Sequence, residues 1–200
     1  MNLEEHWERI YRTKRSESVS WFRPHLDTSL ELIEQTGVSR NAPILDVGGG
    51  ASTLVDDLVV AGYSDLTVID LSEVALEASR ARLGSRATEI AWIAADVTRV
   101  DLAPSRIQVW HDRAVFHFLT EEADRQRYVA QVRHAVVPGG HVIIATFGPE
   151  GPLRCSGLPT ARYDADALHA VFGTDFALVD RRHEQHRTPA GTDQQFVYCL

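Results

Sequence analysis

Residues 44–52 read ILDVGGGAS, a short apolar run with one acid followed by three consecutive glycines. The apolar run is typical of a strand that is buried on both faces of a parallel sheet. Apolar side chains then recur at helical spacing over residues 52–61, so the glycines occupy a turn from a strand into a helix. Such a turn lets the backbone approach a ligand closely and directs N–H groups of the helix toward it. This stretch therefore predicts a ligand site.

Strand and helix patterns alternate along the rest of the chain. Strands are predicted at residues 43–47, 66–70, 90–95, 107–110, 141–146, 176–179 and 195–200. Helices are predicted at residues 3–11, 27–35, 52–61, 72–83 and 120–136. This alternation implies right-handed crossovers and a doubly wound α/β sheet, which the last two strands close as an antiparallel hairpin. Pro138-Gly139-Gly140 is expected to turn the chain just before the fifth strand.

The length and composition of the chain limit the class of protein. A chain of 200 residues suits one α/β domain, which we take to span residues 1–200 with residues 1–40 as an N-terminal helical cap. The net charge of −8, from 20 basic and 28 acidic residues, argues against a nucleic-acid partner. No run of about 18 apolar residues suggests a membrane span, and the two cysteines lie far apart, which fits a reducing compartment. We expect a cytoplasmic protein that binds neither nucleic acid nor membrane.

Three classes of ligand use a glycine-rich turn of this kind. A phosphate-binding loop needs a lysine after the last glycine, and Ala51-Ser52-Thr53 supplies none. A dinucleotide-binding turn wants a further glycine where Thr53 stands, which disfavours NAD and yet leaves it open. The third candidate is S-adenosylmethionine (SAM), whose α-ammonium group is matched by the carboxylate of Asp46.

Acids at the ends of the next two predicted strands sharpen the choice. Asp70 follows Gly48 by 22 residues, where a carboxylate accepts hydrogen bonds from the ribose hydroxyls of either cofactor. Asp96 ends the third strand, where its carboxylate can accept the exocyclic amine of adenine while the N–H of Val97 donates to the ring. Asp96 and Val97 together favour SAM.

Several short motifs together resemble one family. They are HWERIY, SWF, ILDVGGGAS, VIDLS, AADV, VWHDRAVFHF and VPGGHVIIATF, spread over residues 6–147. The set resembles the class I SAM-dependent methyltransferases, and within them the branch that includes eukaryotic lysine methyltransferases acting on translation elongation factor. The resemblance implies a single-domain Rossmann-like sheet of order 3-2-1-4-5-7-6 with its last strand antiparallel.

The resemblance also implies how the cofactor is held. Two aromatics four residues apart and a later tryptophan would grip it, and their faces suit a sulfonium cation at roughly 0.5–2 kcal/mol. Together with the acids, the glycines and a basic residue after the fourth strand, the predicted cofactor-binding set is Trp7, Tyr11, Trp21, Asp46, Gly48, Gly50, Asp70, Leu71, Asp96, Val97 and Arg113. The chain departs from the branch at Gly49, usually cysteine, and at Arg113, usually lysine, so the substrate class stays open.

No catalytic residue is assigned, because methyl transfer depends mainly on alignment of the acceptor with an excellent leaving group. His111 and His117 flank the segment after the fourth predicted strand, which faces the acceptor in this superfamily. His117 lies further from the strand and is the better candidate for a general base. Its neighbours Phe116, Phe118 and Leu119 are equally typical of a histidine that only packs in the core.

The remaining polar candidates each have a plainer interpretation. Asp112 forms either a local ion pair with the next residue or a cofactor contact. Cys155 lies in the irregular segment 148–162, a candidate lid or substrate wall, and it would suit a soft acceptor such as a thiol or metalloid. A metal site could be suspected at His183, Glu184 and His186, whose side chains are common metal ligands. Alternation along a strand would place them on both faces, and a polar hairpin tip explains them more simply, so no metal site is predicted.

The sequence thus predicts a SAM-dependent methyltransferase that acts on a small-molecule N, O or S acceptor. A protein lysine methyltransferase is the alternative, suggested by the branch that the motifs resemble. A third hypothesis is a SAM-binding module without enzymatic activity, which a sealed pocket without access for an acceptor would support.

Overall fold

The structure is a computed structural model that describes residues 2–200. Its helices are α1 (Leu3–Thr13), α2 (Asp27–Gln35), α3 (Leu54–Val60), α4 (Glu73–Leu83), α5 (Glu122–Ala135) and α6 (Ala165–Phe172). Its strands are β1 (Ile44–Val47), β2 (Leu66–Asp70), β3 (Ile90–Ala94), β4 (Ile107–Arg113), β5 (Val136–Phe147), β6 (Arg154–Cys155), β7 (Leu158–Pro159), β8 (Arg181–Arg187) and β9 (Asp193–Cys199). Within the described part of the chain, no helix combines the length and apolar character needed to cross a bilayer.

Seven strands form one sheet in the order β3-β2-β1-β4-β5-β9-β8. Strands β1 to β5 pair in parallel, whereas β9 pairs antiparallel with both β5 and β8. Counted along the chain, β8 and β9 are the sixth and seventh strands of this sheet, so the predicted order and the antiparallel last strand are confirmed. The direction of sheet growth reverses between β1 and β4, and ligands of doubly wound sheets bind beyond the carboxyl ends of the strands at that point.

Strand β1 is buried on both faces of the sheet, as its apolar composition predicts. Ile44 packs in a cluster with Leu32 of α2 and further side chains of α3 and α4. Leu45 points the other way, into a second cluster that includes Tyr128 of α5 and residues of α6. Helices α2, α3 and α4 therefore cover one face and α5 and α6 cover the other, and the glycine turn is attached to the most enclosed strand of the sheet.

The predicted strand at residues 176–179 is wrong, and the strand lies at Arg181–Arg187 instead. Phe176 is apolar because it packs from an irregular segment against the cluster beneath α5 and α6. Strand β8 is the edge strand of the sheet, so most of its side chains are exposed, while Glu184 and His186 point inward. A search for apolar runs misses a strand of this kind, because its exposed face is polar.

Two further differences concern the second half of the chain. Helix α6 was not predicted, because its eight residues, ADALHAVF, are short for a helical pattern. The predicted turn at Pro138–Gly140 lies inside β5, where the pairing with β4 passes from Ile107–Val136 to Val109–His141. The extra residues form an irregularity in the strand, and the left-handed φ of 75° at Gly139 accommodates it.

The N-terminal helix α1 is attached to the start of α4 through one carboxylate. Oε1 of Glu8 accepts hydrogen bonds from the Ser72 hydroxyl at 3.1 Å and from the backbone N–H of Val74 at 3.2 Å. The N–H of Val74 is one of the groups that a helix start leaves without an internal partner, and a negative charge is favourable there. Because Asp70 immediately precedes this helix start, Glu8 holds α1 over the carboxyl end of β2.

We expect Glu8→Ala to loosen α1 without unfolding the sheet. Loss of these contacts should cost about 1 kcal/mol locally, and amide hydrogen exchange in residues 3–13 should then accelerate roughly fivefold. Glu5→Ala, at an exposed position of the same helix, is the matched control and should leave those exchange rates unchanged. Equal exchange in both variants would contradict an attachment through Glu8.

Candidate functional site

Most of the predicted site residues meet at one cavity of about 490 Å³ beyond the carboxyl ends of the parallel strands. This large cavity is lined by the predicted residues Trp7, Tyr11, Trp21, Gly48, Asp70, Leu71, Asp96, Val97 and Arg113. A small cavity adjoins it, since Trp21, Gly48 and Arg113 line both, and the small cavity is also lined by Asp46. Gly50 lines neither cavity.

Backbone conformation and close neighbours both explain why the turn consists of glycines. Gly48 lines both cavities and has a left-handed φ of 69°, which favours glycine at this position. A Cβ atom on Gly49 would lie 2.9 Å from Cγ1 of Val68, and a Cβ atom on Gly50 would lie 2.6 Å from Oδ2 of Asp70. Neighbouring side chains of the protein therefore require all three glycines, since a Cβ atom on Gly48 would clash with Val115, and Gly48 and Gly49 are the two glycines that line a cavity.

Asp70 ends β2 and lines the large cavity. Its Oδ2 accepts the N–H of Gly50 at 3.0 Å, and its Oδ1 accepts the N–H of Ser72 at 2.9 Å. Burial raises the pKa of Asp70 to about 6, although these two N–H groups act in the opposite direction. Each carboxylate oxygen still has a lone pair for a second donor, so the group can accept ligand hydroxyls while it remains fixed by the backbone.

Asp96 lies at the same edge of the sheet, just beyond β3. Its Oδ1 accepts both the N–H and the hydroxyl of Thr98 at 2.8 Å. The next residue, Val97, is buried and lines the cavity. Asp70 and Asp96 therefore offer acceptors at successive strand ends along one wall of the large cavity.

Aromatic rings form another part of the lining of the large cavity, called here the aromatic wall. The ring centroids of Trp7 and Trp21 are 5.7 Å apart, and those of Tyr11 and Trp21 are 6.2 Å apart. Phe118 extends the wall, with its centroid 5.2 Å from that of Trp7. Burial and the nearby Asp70 carboxylate raise the pKa of Tyr11 well above its usual range, so its hydroxyl stays neutral. The motifs that suggested the three predicted aromatics gave no sign of Phe118, which lies about a hundred residues further along the chain.

Arg113 ends β4 and connects the site to the last hairpin. Its Nε donates to the Tyr198 hydroxyl at 2.9 Å, and its Nη2 donates to Glu184 at 3.2 Å. Its Nη1 donates to the backbone carbonyl of Trp21 at 3.1 Å, and its guanidinium lies 4.4 Å from the centroid of Phe196. Arg113 thus lines both cavities and at the same time holds the backbone of Trp21 in place.

Glu184 is a residue of the site region that the sequence did not reveal. It is buried and pairs with Arg23 at 3.2 Å as well as with Arg113. The side chain of Thr28 donates to it at 2.8 Å. Nε2 of the neighbouring His186 donates to the backbone carbonyl of Ser20 at 2.7 Å. The assignment of these residues to a polar hairpin tip is therefore wrong. The sequence of β8, RRHEQHR, is polar throughout, so it carried no local signal for the two buried positions.

His117 does not act as the general base that was considered for it. It is fully buried, lines neither cavity and packs its ring on Phe147 with centroids 4.3 Å apart. Its Nδ1 accepts the N–H of Phe147 at 3.2 Å. Burial and the charge of Arg113 lower the pKa of His117 to about 3, so the ring is neutral and serves the core.

Asp112 and Cys155 are also placed differently from the simplest expectation. Asp112 is completely buried, and it accepts the Tyr128 hydroxyl at 2.6 Å and the N–H of Val115 at 2.9 Å. It is therefore neither a surface ion pair nor a cofactor contact. Cys155 lies on the ribbon of β6 and β7 and lines the large cavity, and burial raises the pKa of its thiol, which stays neutral.

Asp46 and His111 form a buried pair beside the small cavity. Nδ1 of His111 lies 2.7 Å from Oδ1 of Asp46, and Nε2 lies 2.9 Å from the hydroxyl of Ser29. Oδ2 of Asp46 is buried and has no hydrogen-bond partner among residues 2–200. An unpaired buried carboxylate oxygen is costly, so this atom points to a donor or cation that a ligand would bring.

Residues 44–140 match a family described as a methyltransferase domain. Among curated relatives, the mouse (Mus musculus) eEF1A lysine and N-terminal methyltransferase is 28% identical over 147 residues, which are 70% of this chain and 20% of the relative. The human (Homo sapiens) protein of the same name is 23% identical over 145 residues, again 70% of this chain and 20% of the relative. The chain spans about a fifth of the length of these relatives.

Solved structures resemble the chain over nearly its whole length. One comes from work on the conversion of a disulfide bond into a thioacetal group during echinomycin biosynthesis, with a TM-score of 0.78, 18% identity and coverage of 99% of this chain and 92% of that one. Another is the Burkholderia thailandensis 1,6-didemethyltoxoflavin-N1-methyltransferase bound to 1,6-didemethyltoxoflavin and S-adenosylhomocysteine, with a TM-score of 0.72, 20% identity and coverage of 98% and 86%. In its glycine turn, its strand-end acids and its sheet order, the chain is similar to the class I SAM-dependent methyltransferases, and its match to a methyltransferase domain covers residues 44–140.

Proposed function

We propose that this protein binds SAM in the large cavity and transfers its methyl group to a small-molecule N, O or S acceptor. The observation that carries the proposal is the juxtaposition, around one cavity, of acceptors at two successive strand ends with an aromatic wall on α1 and the segment that follows it. Carboxylates match the hydroxyls and amine of an adenosyl group, and aromatic faces match a sulfonium cation.

The residues fit SAM from one end to the other. Asp70 would accept the ribose hydroxyls, and Asp96 with the N–H of Val97 would bind adenine. Oδ2 of Asp46 would receive the α-ammonium group, which supplies the partner that this buried oxygen lacks within residues 2–200. Gly48 would let the backbone pass close to the cofactor between these groups.

The chain contributes mainly alignment and exclusion of water. When bound, SAM supplies a methyl group on a positively charged sulfur, which is an excellent leaving group. Trp7, Tyr11 and Trp21 would enclose that charge, and Arg113 keeps Trp21 in position through its carbonyl. Phe118 and Cys155 extend the lining of the large cavity with apolar and neutral groups, which keeps water from competing with the acceptor.

The extent of the structural likeness supports a small acceptor. A methyltransferase that binds the small heterocycle 1,6-didemethyltoxoflavin aligns with 98% of this chain. The alternative acceptor is a protein lysine, favoured by the names of the sequence relatives, but this chain spans only a fifth of their length. The net charge of −8 gives no reason to invoke a nucleic acid, and we expect the protein to act in the cytoplasm.

Transfer of a labelled methyl group distinguishes the candidate functions. The protein is incubated with SAM carrying a labelled methyl group and with cell extract, and the label is then traced. We expect label in small solutes; label in a protein band would favour the lysine alternative, and no transfer despite tight SAM binding would favour a binding module. A titration with SAM and NADH comes first, and tighter binding of NADH would contradict the cofactor assignment.

Removal of the Asp70 carboxylate should weaken SAM binding. Asp70→Ala removes the acceptor for the ribose and the partner of Gly50 and Ser72, so calorimetry should show a loss of roughly 1–3 kcal/mol. Glu73→Ala removes an acid three residues further on that lines neither cavity, and it should leave the affinity unchanged. Unchanged affinity in Asp70→Ala would show that another acid binds the ribose.

The affinity for SAM should also fall in mildly acidic solution. The pKa of Asp70 is raised to about 6, so acidification through that value places a proton on the carboxylate and removes an acceptor from the ribose site. Between pH 6 and pH 4 the affinity should drop by up to roughly tenfold per pH unit. Asp70→Asn should bind more weakly and lose most of this dependence, while a slope retained in that variant would assign it to another group.

A further inference from the structure

We propose that His111 and Ser29 are positioning residues that orient Asp46 toward the α-ammonium group of the cofactor. This inference rests on the proposed function, because it assumes that SAM or its product occupies the adjoining cavities. A chain of buried hydrogen-bonded groups joins the helical cap to the sheet and fixes the orientation of the Asp46 carboxylate.

The chain of hydrogen bonds connects three separate elements. Ser29 lies on α2, His111 on β4 and Asp46 on β1, and all three are buried. A carboxylate can only accept, so the proton of the contact at 2.7 Å belongs to Nδ1 of His111. Nε2 then pairs with the Ser29 hydroxyl at 2.9 Å. Because both ring nitrogens are engaged, the imidazole cannot turn, and Oδ1 of Asp46 is held at one point.

Fixing one oxygen of Asp46 determines where the other one lies. Oδ2 is buried, has no partner among residues 2–200, and belongs to a residue that lines the small cavity beside Gly48. The side chains of Arg23 and Arg113 line the same cavity, so cationic groups and a single free carboxylate oxygen are presented together. This combination fits a zwitterionic amino-acid group, with its ammonium at Asp46 and its carboxylate toward the arginines.

A hydrogen-bonded series of serine, histidine and aspartate also occurs in the catalytic triads of hydrolases. Here the serine is not open to a substrate. The side chain of Ser29 is completely buried and lines neither cavity, so no substrate carbonyl can reach it. The serine is the anchor of the chain on α2, and the aspartate is the end that faces the ligand. His111 also lines the small cavity, but both of its ring nitrogens are engaged by Asp46 and Ser29, so it acts on the ammonium group through Asp46.

The test compares two ligands that differ only in the amino group. S-adenosylhomocysteine and its analogue with hydrogen in place of the α-amino group are titrated calorimetrically into wild-type protein and variants. Wild-type protein should prefer the amino form by at least about tenfold, as expected for a charge-assisted hydrogen bond. In His111→Phe this preference should shrink by roughly tenfold, while binding of the deaminated analogue should change little.

Two further variants separate positioning from general damage. His111→Asn can place its amide nitrogen near the site of Nδ1 and should restore most of the preference. His186→Phe, the same substitution at a buried histidine outside both cavities, should leave the preference unchanged. If His111→Phe fails to fold, Ser29→Ala takes its place and should reduce the preference about threefold.

Each outcome decides the proposal. Equal weakening of both ligands in the His111 and Ser29 variants would mean a purely structural role and would overturn it, as would variants that keep the wild-type preference. Equal binding of both ligands by wild-type protein would show that Asp46 makes no contact with the ammonium group, and would also overturn the proposal. Wild-type protein that binds neither ligand would refute the proposed function, and is thereby distinguished from failure of the positioning chain alone.

Discussion

The site depends on the space left by two missing side chains. Gly49 and Gly50 have no Cβ atoms, and in that space lie the carboxylates of Asp46 and Asp70. A Cβ atom on Gly49 would meet the carboxylate of Asp46, and a Cβ atom on Gly50 would lie 2.6 Å from Oδ2 of Asp70, so either substitution would displace the acid from its present position. Glycine at this turn is usually explained by the approach of a ligand, but at these two positions the neighbours that demand it belong to the protein.

Buried polar groups then fix each ligand-facing side chain from behind. Backbone N–H groups hold Asp70, His111 holds Asp46, and the Trp21 backbone is held by Arg113. Most of these buried polar groups have hydrogen-bond partners within the protein, so their burial is tolerated. The free-energy cost of an unpaired buried atom arises at the few atoms that face a cavity. The arrangement joins the sheet, the helical cap and the last hairpin into one support, since Glu184 of β8 pairs with arginines from both sides of the site.

The sequence predicted the features that depend on local periodicity. Helix α2 has the predicted bounds of residues 27–35, and Asp70 and Asp96 lie at strand ends because buried parallel strands have recognisable apolar runs. Ser29, Glu184 and Phe118 were not predicted as parts of the site region, because the partners that place them there lie 71 to 161 residues away and no local pattern encodes such contacts. For Ser29 and Glu184 these separations are 82 residues to His111 and 71 residues to Arg113. The strand predicted near residue 178 was misplaced for the same reason. An edge strand such as β8 forms because it pairs with the neighbouring strand, and its own composition gives little sign of it.

The attachment of α1 through Glu8 has a consequence for how far the cavity is formed in advance. Trp7 and Tyr11 lie on this helix and line the cavity. Two hydrogen bonds at the start of α4 hold the helix there, so both rings stand in place before a ligand arrives. Binding then does not carry the entropic cost of ordering the helix.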